Sequence, residues 1–331
     1  MKSRCLMSLL LVAALLAAPQ LLSGTNKSEE DVNEIGNRKV AHFSIISEEK
    51  EVALGKQYAT QVDRTAKLVK DPVVTEYINR IAQNVARNSD LQVPLTVKVI
   101  DDPGINAFAL PGGFLYVNSG LVLAADEEDQ IAGVMAHEIA HVAARHWASQ
   151  MTKQTLLSYA MLPLMLTPMS YPVYMGVSAA MNYGVPVAFL KFNRADEAEA
   201  DYLGIQYMYK AGYDPNSYVA FFGKIMQEER RQPGSVPSIF MDHPPTPDRI
   251  ISSVEEIKEI LPKRDEYLVT TSEFNDVKAR LQTVVAALKK GQKAGPTLMK
   301  RTPPTDTTGT QNDGNNKSDD DDNPPVLRRR D

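Results

Sequence analysis

The residues able to do chemistry gather in two stretches. The first is His137-Glu138-Ile139-Ala140-His141, inside an apolar run that opens after Asp126-Glu127-Glu128-Asp129. An aspartate cap with acidic residues in the first turn favours a helix start. No proline interrupts the next two dozen residues, so the pattern predicts one helix over about 126–150. On such a helix His137 and His141 stand one turn apart on the same face and can hold one ion between them. Glu138 lies about 100° round the axis, close to that ion without ligating it. Alone, the pair also fits an ordinary buried helix with two satisfied histidines, so a metal reading needs a third ligand.

The second stretch is Asn193 to Leu203, where Glu197 and Asp201 are four apart and share a helix face. Glu197 can complete a His2Glu zinc set, and Asp201 can accept a hydrogen bond from the free ring N–H of a ligand histidine. Glu199, about 200° from Glu197, and Asp196 read as an ordinary solvated acidic face.

Several elements must position these two stretches. Ser47 caps a helix that ends before Asp71-Pro72, and these two residues cap and open a second helix through about Ser89, with Val74, Tyr77, Ile78, Ile81 and Val85 inward. From Val93 the period changes to two, the mark of a strand with one buried face. Asn106 to Leu110 and Phe114 to Asn118 flank Pro111-Gly112-Gly113 and read as a hairpin. The expectation is a small, mostly antiparallel sheet packed on the metal helix, in an α+β chain that is mostly helical. If one strand is an edge, Asn106, Ala107, Phe108 and Ala109 are placed to pair with an extended peptide by strand addition.

After the metal helix, residues 154–190 carry no Asp, Glu, Lys or Arg and contain four prolines. They read as two short buried helices with a covering loop, or as a membrane-touching hairpin. The second ligand helix runs to Gly212, a fitting C-terminal cap. Asp214-Pro215 opens the next helix, and Thr246-Pro247-Asp248 opens another after a proline-rich loop that holds His243.

A chain of 331 residues with 43% apolar composition can bury a sizeable core, and a net charge of −5 gives no reason to expect nucleic-acid binding. The single cysteine, Cys5, lies in the N-terminal apolar segment, so any metal must be held by His and carboxylate. Lys2, Arg4 and the apolar run to Ala18 read as a signal peptide or anchor over 1–24. The main domain is expected over 40–262, a helical extension over 263–290 and a disordered tail over 291–331. No tetratricopeptide repeat is visible in the final third.

His137-Glu138-x-x-His141 with Glu197-x-x-Ala200-Asp201 downstream resembles the CAAX prenyl endopeptidase and HtpX-like metallopeptidase family, nearest its exported, BepA-like bacterial members. The likeness covers roughly 47–260 and includes Asn106-Ala-Phe-Ala-Leu-Pro-Gly-Gly113 and His243-Pro-Pro-x-x-x-Arg249. It implies a mainly helical zincin, endopeptidase activity, and one zinc ion held by His137, His141 and Glu197. Two departures limit it: the tetratricopeptide array of BepA-like members and the long spans of the membrane members are both missing from this sequence.

With two neutral imidazoles and one carboxylate, the zinc site has a net charge near +1 and a bound water's pKa falls toward ~7. Glu138 would take that water's proton and pass it to the leaving amine. His243 or Arg249 is the candidate donor to the oxyanion; the alternatives for His243 are a plain loop histidine before Pro-Pro and an occupant of zinc's open position at rest. The implied function is a zinc endopeptidase of the bacterial envelope, periplasmic, acting on misfolded or stalled proteins. The rivals are a zinc-stabilised chaperone whose covered site rarely cuts, and a scaffold that touches the membrane through 154–190.

Overall fold

In a computed structural model of the chain, the described residues are 31–165, 175, 192–231, 243 and 246–293. The leader, most of 166–191 and the tail from 294 lie outside them. Two helices come first: α1 (Glu48–Thr65) with Ser47 as its cap, and α2 (Pro72–Arg87), where Asp71 accepts from Val74 N and Pro72 occupies the first turn. Three strands follow, β1 (Thr96–Ile100), β2 (Ala107–Leu110) and β3 (Phe114–Asn118), then a short helix α3 (Ser119–Ala124). The chain continues with α4 (Glu128–Ala143), α5 (His146–Met165), α6 (Arg194–Ala211), α7 (Asn216–Arg231), α8 (Pro247–Ile260) and α9 (Glu273–Lys293).

The sheet order is β1-β3-β2, with β2 antiparallel to β3 but β1 parallel to it. The expected mostly antiparallel sheet is therefore mixed, and its longer pairing is the parallel one. Alternation of period two is the same in both kinds of ladder, so the residue pattern could not tell them apart. The connection through 101–106 carries β2 past the place that β3 later fills. The tight hairpin at Gly112 (φ 75°) and Gly113 (φ 88°) then lays β3 between the other two.

Helix α4 runs through the centre of the molecule, and every residue from Ile131 to Ala143 is buried. Its closest partner is α6, and small residues make that approach possible. A Cβ on Gly204 would lie 3.1 Å from His137 N and 3.2 Å from His137 Cα, so the two backbones nearly touch. Burying Ile131, Met135 and Ile139 contributes roughly 1.5–3 kcal/mol each. The same core continues through Tyr77 and Ile78 of α2, Phe221 of α7 and Phe274 and Leu281 of α9.

The start and the end of α4 both differ from the expectation. Asp126 does not cap it: Glu127 holds the cap position without a side-chain bond, and Asp129 N donates to Val269 O. Glu128 turns inward and accepts from the hydroxyls of Tyr77, Tyr213 and Thr271. Tertiary partners set this helix start rather than a local cap. At the other end the predicted single helix over 126–150 is two helices. Ala144 closes α4, Arg145 takes a left-handed φ of 56°, and α5 begins at His146. A non-glycine residue is held there because Arg145 Nε sits 2.8 Å from Glu51 Oε2 and Nη2 donates to Ile46 O at 2.7 Å. Further along, α5 is one helix and not buried throughout: Leu156 and Tyr159 are exposed.

Candidate metal centre

Helix α4 stacks His137 and His141 so that their Nε2 atoms are 3.1 Å apart. Helix α6 brings the carboxylate. Asn193 accepts from Ala195 N and Asp196 N while Asp196 reaches back to the Asn193 backbone, a capping box worth about 1 kcal/mol that fixes where the first turn begins. Glu197 in that turn points at α4, with Oε2 3.6 Å from His137 Nε2 and Oε1 3.6 Å from His141 Nε2. His243 closes the set, with Nδ1 2.8 Å from Glu197 Oε1 and 3.4 Å from His137 Nε2. All four side chains are buried, and one donor atom from each lies within 4.8 Å of the others. Such a group could hold a metal ion.

Glu138 faces the same space from the next position on α4. Its Oε2 accepts from Ala109 N of β2 at 3.0 Å, so the sheet edge and the carboxylate are in direct contact. Its Oε1 accepts no hydrogen bond among the described residues and lies 3.4 Å from His243 Nε2. Of the proposed substrate strand, Ala107 to Ala109 lie in β2 with Phe108 stacked on Tyr116. Asn106 precedes the strand and its carbonyl accepts from Asn118 N.

Behind His137 is a buried ionic network. Asp201 Oδ1 is 3.0 Å from His137 Nδ1, and Asp201 also accepts from Tyr218 Oη. Arg249 forks onto Asp201 with Nε at 2.6 Å and Nη2 at 2.7 Å, while its Nη1 sits 2.9 Å from Glu197 Oε2. The guanidinium is thus turned to the back of the site.

Burial sets the charges. It pushes His137 down, but the hydrogen bonds that the ring donates to the carboxylates of Asp201 and Glu197 outweigh it and hold the ring up at about 9. Burial, reinforced by the charges of His137 and His146, drives His141 well below the ordinary histidine value. Burial raises Glu138, against the pull of His243 and His137. Glu197 is held well below the carboxylate range because hydrogen bonds from His137 and His243 overcome its burial.

Sequence reasoning missed a second group. His146 Nδ1 lies 2.9 Å from His141 Nδ1; His146 Nε2 is 3.5 Å from Glu199 Oε2, and His42 Nε2 is 2.7 Å from the same oxygen. Glu199 is therefore not part of a bland solvated face, and neither is Asp196, which is buried in the capping box. Tyr218 of α7, not singled out from the sequence, is the third partner of Asp201. A histidine five residues after His141 was visible all along, but a continuous helix would have turned it away.

Two histidines four apart with a glutamate between them, and a second glutamate on a neighbouring helix, are the donor pattern of the His2Glu metallopeptidases. Residues 72–257 match the model of peptidase family M48. The chain belongs to that family. A putative beta-barrel assembly-enhancing protease from Vibrio cholerae is 33% identical over 258 residues, 76% of this chain and 52% of that protein. The beta-barrel assembly-enhancing protease of Escherichia coli is 30% identical over 258 residues, 76% and 53% respectively. The mitochondrial metalloendopeptidase OMA1 of Schizosaccharomyces pombe is 33% identical over 195 residues, 58% of this chain and 55% of that protein. The chain spans about half the length of the curated relatives it matches.

Proposed function

We propose that the chain is a zinc endopeptidase of the bacterial cell envelope, exported to the periplasm. The observation that carries this is the convergence of His137, His141 and Glu197 beside the buried Glu138. A tetrahedron with bonds of about 2.0–2.1 Å has edges of about 3.3–3.4 Å. The 3.1 Å between the two histidines and the 3.6 Å from each of them to one of the two Glu197 oxygens are near that size, and imidazole with carboxylate is a donor set suited to zinc. His137, His141 and Glu197 would hold the ion. An ion held by these residues would supply Lewis-acid polarisation of the scissile carbonyl and a water pKa lowered toward ~7.

The protein's own groups do the rest. Glu138, raised by burial, takes the proton of the attacking water at Oε1 and delivers it to the leaving amine nitrogen. Ala109 N–H holds the other carboxylate oxygen and so aims the acid. The β2 edge next to Glu138 is the place for an extended substrate to pair. Arg249, expected as an oxyanion donor, is better assigned to positioning, since its guanidinium is engaged by Asp201 and Glu197. His243 Nε2, facing Glu138, is the remaining candidate donor to the oxyanion.

Misfolded or stalled envelope proteins are the substrate class this reading favours. It rests on the family resemblance and on relatives named for β-barrel assembly, and the match covers about half of each of those relatives.

Glu138→Gln should keep zinc and lower casein cleavage by at least ~10²–10⁴-fold; cleavage at the wild-type rate would remove Glu138 from the role. Chelation should abolish cleavage and zinc restore it. One observation favours a latent form: His243 Nδ1 lies within the donor set and would fill the position that water needs. His243→Ala should then raise basal cleavage, and a fall would assign His243 to the oxyanion instead.

A further inference from the structure

A histidine that binds metal through Nε2 must carry its proton on Nδ1. His141 turns Nε2 toward His137 and Glu197 and Nδ1 toward His146 Nδ1, 2.9 Å away. Two ring nitrogens at that distance share one proton, so His146 Nδ1 must accept. The His146 proton then belongs on Nε2, which faces Glu199 Oε2 at 3.5 Å. Glu199 is set by His42, whose Nε2 donates to the same oxygen at 2.7 Å. His42 comes from the arm before α1, anchored where its own N–H donates to Ala144 O and Ser44 Oγ donates to Ala148 O.

From this we propose that His146 is a positioning residue that fixes the ligating tautomer of His141, with Glu199 and His42 holding His146 in the accepting state. The inference rests on the reading that His141 ligates through Nε2. The break at Arg145 makes it possible. On an unbroken helix His146 would stand about 140° round the axis from His141; the left-handed residue swings it back beside the ligand.

The same three side chains, His42, His146 and Glu199, also lie close enough to hold an ion of their own. Proton placement argues against that role. An ion on His146 Nε2 would leave the proton on Nδ1, setting two N–H groups face to face across 2.9 Å and withdrawing His141 from its own metal.

The test uses the full chain. Zinc affinity is measured by competition with a chromogenic chelator, alongside the melting temperature of the metal-free protein. Wild type should bind one zinc. His146→Ala should bind it about 10–100-fold more weakly, with His146→Asn recovering most of the loss because its Oδ1 can accept where Nδ1 did. Glu199→Gln should weaken binding less than His146→Ala, with an unchanged melting temperature. Long-range 1H–15N spectra of the metal-free protein should show His141 protonated on Nδ1 and His146 on Nε2. His146→Ala binding zinc as tightly as wild type, His146 protonated on Nδ1, or a second zinc lost in His42→Ala would each overturn the proposal. If Glu197→Ala left zinc binding intact, the ligand assignment would fail instead, and the tautomer spectra would still judge His146.

Discussion

The two histidines of α4 face the same space but are backed in opposite ways. Behind His137 stands a carboxylate, Asp201, enclosed by Arg249 and Tyr218 from two further helices. Behind His141 stands another imidazole, His146, which leads through Glu199 to the half-exposed His42. If both ligate the ion as proposed, each needs its second nitrogen held: His137 has a buried ion network for this, and His141 has an imidazole backed by the carboxylate of Glu199, in a chain running outward. The difference teaches where each half of the site gets its rigidity. His137 depends on long-range packing of α6, α7 and α8. His141 depends on a local break in the backbone and on an arm lying along it.

Substitutions should separate the two halves. The largest effect is expected from Asp201→Ala, which removes the carboxylate onto which Arg249 forks and leaves its contact with Glu197 Oε2 in place. Breaking a buried pair of this kind costs about 3–5 kcal/mol, and zinc affinity should fall together with denaturant stability. A loss of affinity with full stability would mean that the network is less structural than its burial implies. Gly204→Ala comes next. The added Cβ at 3.1 Å from His137 N forces α6 away from α4, with an overpacking cost of about 1–3 kcal/mol and a weaker grip on zinc through Glu197. The smallest effect sharpens the comparison most. Asp201→Asn and Glu199→Gln act on different histidines through separate partners, so their effects on zinc affinity should add within about 0.5 kcal/mol. Strong coupling would show that the two backings form one network.

Much of this scaffold was readable in the residues because it is coded locally. Asp71-Pro72, Asn193, Gly212 and Thr246-Pro247 mark helix ends by chemistry that needs no tertiary knowledge, and each element begins or ends there. The spacing of His137, His141, Glu197 and Asp201 could be read in the same way, since four residues make one helical turn. What escaped is what depends on contacts between distant segments. Strand direction leaves no trace in a period of two, so the parallel β1–β3 pairing was invisible. Arg145 carries no glycine-like signal, and its left-handed turn exists only because Glu51 and Ile46 receive its side chain. With the helix taken as continuous, His146 had no reason to meet His141, and Glu199 had no reason to be anything but a surface charge. The partners of Asp201 were hidden in the same way, because Tyr218 follows an apolar pattern and reveals its hydroxyl's role only when α7 is packed against α4.

The most direct test of the account is the position of the metal, read from anomalous scattering at the zinc edge in a crystal of the full chain grown with zinc. One peak per chain is expected, within bonding distance, about 2.0–2.2 Å, of His137, His141 and Glu197, with Glu138 beside it and unligated. A peak among His42, His146 and Glu199, or zinc held without Glu197, would contradict it.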